Sequence, residues 1–135
     1  MQSDKNVLEK WLLLAEDDFD SAKIMLKNKK ILITAFFLHQ TVEKLLKALY
    51  YFKFKKEPPY THNLNLLENE TALNKKLDNT FYDFFHTLNP FYIKARYPTY
   101  KDEVKSTLNT KKLADLIKQT GVLFKCVKAE MKQKK

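Results

Sequence analysis

Glycine occurs once and proline four times in these 135 residues. A chain so short of turn-forming residues has few places to reverse direction, so it is confined to long helices joined by brief connections. Hydrophobic side chains make up 44% of it, enough for the core of one ordinary domain without disulfide or metal staples. No strand alternation, internal repeat or domain linker interrupts residues 1–135, so the composition predicts one all-α domain, a bundle of four or five helices.

The apolar spacing places those helices. Leu8, Leu12, Ala15, Phe19, Ala22 and Leu26 recur at steps of three and four, marking a first helix from an N-cap at Ser3 or Asp4 to about Asn28. A second spans about Ile31 to Phe54 and is apolar on most sides, leaving only a narrow polar strip of Gln40, Glu43, Lys44 and Lys47. Such a helix belongs at the centre of a bundle. Pro58 and Pro59 stop it, and Thr61 or His62 opens a short helix through Leu64 and Leu67. A further helix is expected from about Ala72 to Leu88, followed by an irregular tract from Pro90 to Asn109. The last helix begins near Thr110 as N-cap, runs to about Met131 and tolerates Gly121 at a cost of about 1 kcal/mol relative to alanine.

The charge balance is 25 basic against 16 acidic residues, a net +9. That surplus suits anionic partners such as nucleotides, RNA or an acidic protein, although lysine-rich composition is also common in AT-rich genomes. Cys126 is the one cysteine, which excludes an internal disulfide and fits a reducing, cytoplasmic setting. The start Met1-Gln2-Ser3-Asp4 reads as no secretory signal, and no apolar run approaches membrane-spanning length.

Arg96 is the one arginine in a chain that otherwise meets its need for positive charge with lysine. A planar, forked, permanently charged donor at a single position suits a carboxylate, a phosphate or an aromatic face. Tyr92, Tyr97 and Tyr100 flank it, either to stack a base beside a phosphate or to anchor the loop in the core. Glu43 either pairs with Lys47 one turn on, as surface residues do, or receives Arg96. Of the three histidines, His39 reads as a core or interface residue, His62 as a helix-start residue and His86 as a capping or exposed one. No glycine-rich phosphate loop, zinc-protease motif or paired-carboxylate signature is present, and neither a metal nor a cofactor is expected.

The segment Phe36-Phe37-Leu38-His39-Gln40-Thr41-Val42-Glu43-Lys44-Leu45-Leu46-Lys47-Ala48 resembles the signature helix of HEPN domains (higher eukaryotes and prokaryotes nucleotide-binding). Three further features match in order: Ala15, Asp18 and Ala22; the turn Pro59, Thr61, His62 and Leu64; and Tyr92, Arg96, Tyr97 and Pro98. The resemblance covers about Ala15 to Pro98, with the final helix in the place of the family's closing one. It implies an up-and-down bundle that pairs as a symmetric homodimer, often beside a minimal nucleotidyltransferase as a toxin–antitoxin pair. It also implies, for many members, a metal-independent ribonuclease that uses an arginine followed four to six residues later by a histidine. Here Tyr97 to Asp102 follow Arg96, and no histidine lies downstream.

The resemblance and the residues together favour a cytoplasmic, non-membrane protein that binds a nucleotide or RNA. Arg96 would hold phosphate, Tyr97 or Tyr92 would stack the base, Lys44 and Lys47 would add charge, and Gln40 and Glu43 would support them. Two alternatives stand beside it. One is a metal-independent endoribonuclease using Arg96 with His62 as base; the other is a non-catalytic module that binds an acidic partner protein.

Overall fold

The computed structural model of the chain describes residues 4–94 and 97–132. Among these are six α-helices: α1 (Asp4–Lys27), α2 (Ile31–Phe54), α3 (Leu64–Glu70), α4 (Asn79–Leu88), α5 (Lys101–Thr107) and α6 (Thr110–Lys132). Short 3-10 turns occupy Leu73–Lys75, Asn89–Tyr92 and Pro98–Tyr100. The described residues contain no strand, so the all-α bundle stands. None of their helices is long and apolar enough to cross a membrane.

The centre is α2, which packs against α1, α3, α4, α5 and α6. Its apolar residues on nearly every side are buried, among them Leu38, Val42, Leu45, Leu46 and Leu49. One face meets Ala15 and Ala22 of the α1 stripe, small residues that let two long helices run close together; Phe85, Leu88, Leu113 and Leu123 complete the core. The turn between α1 and α2 is tight, with Lys29 in the left-handed region at φ 59°.

Four local expectations need correction. Ala72–Leu88 is not one helix: a 3-10 turn ends near Lys75, and α4 begins afresh behind Asp78, whose side chain accepts the Thr80 amide at 3.0 Å. Asp78 and Asn79 favour a cap over a helix interior because their side chains compete for backbone groups. The tract Pro90–Asn109 is not irregular throughout. It contains α5, anchored by buried Val104 and Leu108, with Asp102 and Glu103 in its first turn where the helix dipole favours them. That helix raises the number above the four or five that the sequence implies.

The caps also differ. Asn63, and neither Thr61 nor His62, caps α3, its Oδ1 accepting from the amides of Asn65 at 3.1 Å and Leu66 at 3.2 Å. Asn109 does the same for α6, accepting from the Lys112 amide at 2.8 Å, so Thr110 is already inside the helix. Ser3, the other N-cap expected for α1, lies outside the described residues.

Candidate functional site

Halfway along α2 the polar strip turns inward. Glu43 and Lys47 are only 5% and 6% exposed, so this pair is buried, where the sequence suggests a surface one. Two charges taken out of water are tolerated only when their hydrogen-bonding capacity is met. Glu43 Oε2 accepts from Lys47 Nζ at 3.0 Å, and Oε1 accepts from His62 Nδ1 at 2.8 Å. The carboxylate is thus held on both oxygens.

His62 reaches Glu43 from the segment between α2 and α3. Pro58 and Pro59 keep that segment extended, and Asn63 begins α3 immediately afterwards. Its backbone is fixed too, since the His62 carbonyl accepts from His39 Nε2 at 3.0 Å. A carbonyl and a carboxylate only accept, so the proton positions follow. His39 carries its hydrogen on Nε2 and His62 on Nδ1, and in the neutral His62 ring Nε2 is left as acceptor. The His62 side chain is 40% exposed, and no described residue bonds to Nε2.

His39 is fully buried, and burial lowers its pKa from 6.5 to about 4 against the partial opposition of the Glu43 charge. The ring is therefore neutral at pH 7, and its 3.7 Å approach to Glu43 Oε1 is a polar contact with no ion pair. Gln40 Nε2 lies 3.4 Å from His39 Nδ1, on the acceptor side of the ring.

Tyr92 completes the cluster from the 3-10 turn that follows α4. Asn89 fastens that turn to the start of α3, accepting the Leu64 amide at 2.7 Å and donating to Asn65 Oδ1 at 2.8 Å. The Tyr92 ring then stacks on His62, with centroids 3.6 Å apart and planes 17° from parallel, and stands 5.8 Å from His39. Gln40, Glu43, Lys47, His62 and Tyr92, all singled out in the sequence, converge here. His39 joins them as a positioning residue, a part its place in an apolar run does not signal.

Lys44 binds Asp18 of α1, a link between two resemblance positions 26 residues apart. Tyr97 is exposed, while Tyr100 packs against the core and lies under Lys94 Nζ. His86 is exposed and stacks on Tyr82 along α4. Arg96 lies outside the described residues. The oxygens of Glu43 already have Lys47 and His62, and no three described side chains are grouped as metal ligands.

The family model described as HEPN domain matches residues 8–130, nearly the whole chain and every element of this cluster. The chain belongs to the HEPN family. A crystal structure of TT1696 from Thermus thermophilus superimposes with a TM-score of 0.76 at 16% identity, covering 90% of this chain and 96% of that one. At that identity the likeness concerns the fold. No curated protein sequence matches this one.

Proposed function

We propose that this HEPN protein binds a nucleotide or RNA on the surface where His62 and Tyr92 stack. The observation that carries the reading is the mounting of that ring pair: a half-exposed imidazole held by a buried carboxylate that is itself held by a buried lysine. Rings fixed in this way offer a stacking surface whose ordering cost is met in the free protein. Arg96, four residues beyond Tyr92, holds the phosphate, and Tyr97 adds a second ring. Lys44 and Lys47 support the site from within through Asp18 and Glu43. The protein acts as a homodimer beside a nucleotidyltransferase, in a pair of the toxin–antitoxin type.

Titration with labelled nucleotides and a short oligoribonucleotide tests the site. Arg96→Ala and Tyr92→Leu should each weaken binding about tenfold or more, since a stacked base is worth about 1–3 kcal/mol. Equal binding by wild type and both variants sinks the assignment.

A second reading rests on one observation, the His62 Nδ1–Glu43 bond that leaves Nε2 as an acceptor. In a metal-independent endoribonuclease Nε2 would take the proton of a ribose 2′-hydroxyl. RNA that stays intact at high protein concentration in chelator removes this reading and leaves the binding one in place.

A further inference from the structure

The two lysines of the α2 strip are engaged inside the protein, Lys44 by Asp18 and Lys47 by Glu43. A ligand carrying phosphates calls for cations not so engaged, and the start of α2 offers three. A cavity of about 430 Å³ opens there, walled by Ile31, Leu32 and Ile33 and rimmed by Lys29, Lys30 and Lys101. All three lysines are exposed, and none forms an ion pair with a described residue. Lys101 is brought in from far along the chain as the first residue of α5, which packs against α2.

The cavity is aligned with the ring pair. Leu32, Phe36, His39 and Glu43 follow at steps of four, three and four, so they lie on one stripe of α2. Leu32 walls the cavity; His39 and Glu43 hold His62. Seven residue steps of helix lead from Leu32 to His39, about 10 Å at the usual rise. Tyr92 stands at one of these two places and Lys101 at the other.

We infer that the cavity is a phosphate subsite, taking a phosphate about 10 Å along α2 from the helix residues that hold the stacking pair His62 and Tyr92. The inference rests on the nucleotide reading above and narrows it. A nucleoside monophosphate at the ring pair does not reach the lysines. A strand does, over about three stacked nucleotides at 3.4 Å each, and so does the terminal phosphate of a nucleoside triphosphate.

Three probes separate these cases: AMP, ATP and a 2′-O-methyl oligouridylate, which has no 2′-hydroxyl to react. The triple variant Lys29→Gln/Lys30→Gln/Lys101→Gln should bind AMP as the wild type does. It should bind the oligonucleotide, or ATP, about tenfold or more weakly, and for the oligonucleotide the slope of log K against log salt should fall by about 1 or more. Whichever of the two longer probes is affected names the source of the phosphate. Unchanged binding of both overturns the subsite alone. So does an equal loss in the control Lys111→Gln/Lys118→Gln/Lys125→Gln on the exposed face of α6, which would leave only the overall charge. Absence of wild-type binding to all three probes overturns the nucleotide reading and this inference with it.

Discussion

A carboxylate as buried as Glu43 costs several kcal/mol to take out of water, and only partners on both oxygens offset that cost. Glu43→Ala leaves Lys47 charged and unpaired, so it should lower stability by about 3 kcal/mol in urea denaturation. The double variant Glu43→Leu/Lys47→Met should recover most of that loss, while nucleotide binding stays weak because His62 has lost its anchor. His39 makes a separate prediction through its lowered pKa. In the unfolded chain His39 binds a proton below pH 6.5, whereas in the folded protein it resists one until about pH 4. Its contribution is therefore complete above pH 6.5 and lost as the pH falls toward 4, amounting to about 2 kcal/mol between pH 7 and 5. His39→Gln should flatten that part of the stability profile; an unchanged slope would show that the ring is charged when folded. The strip Gln40, Glu43, Lys44, Lys47 was legible from spacing, because helical periodicity reports which residues share a face. Burial of Glu43 and Lys47 was not, because it depends in part on a loop residue 19 positions away.

At the scale of elements, legibility followed length. The long α2 was readable at both ends, since a 24-residue apolar pattern bounded by Lys29-Lys30 and Pro58-Pro59 leaves little choice. The segments of three to ten residues between α3 and α6 were not, because caps and single buried anchors decide them and several polar residues compete for each cap. Asn63 shows what such a cap controls, for it starts α3 directly after His62. Asn63→Ala should cost about 1 kcal/mol in thermal or chemical unfolding. Gly121 offers the opposite change. It sits inside α6, and a Cβ there would meet nothing within 4 Å, so Gly121→Ala should stabilise by about 0.5–1 kcal/mol. A destabilised alanine variant would mean that α6 does not run unbroken through this position in solution.

For the whole molecule, the arrangement around α2 sets the order in which the structure opens. Amides from Leu38 to Leu49 should exchange with solvent most slowly, at rates set by global unfolding, and those of the 3-10 turns fastest. Slower exchange in α6 than in α2 would contradict a bundle organised on α2. Charge is distributed unevenly over the same frame: α1 carries six acidic and four basic side chains, so the rest of the chain holds the entire positive surplus. A polyanion is steered away from α1 and toward the remaining surface. The buried cluster bears finally on descent. Glu43, Lys47, His62 and His39 each answer to another member, and removing one leaves a buried group without its partner. No single substitution departs from the set without passing through a destabilised ancestor, so lineages should keep the four or replace them together. In the history of the fold these positions form one heritable character.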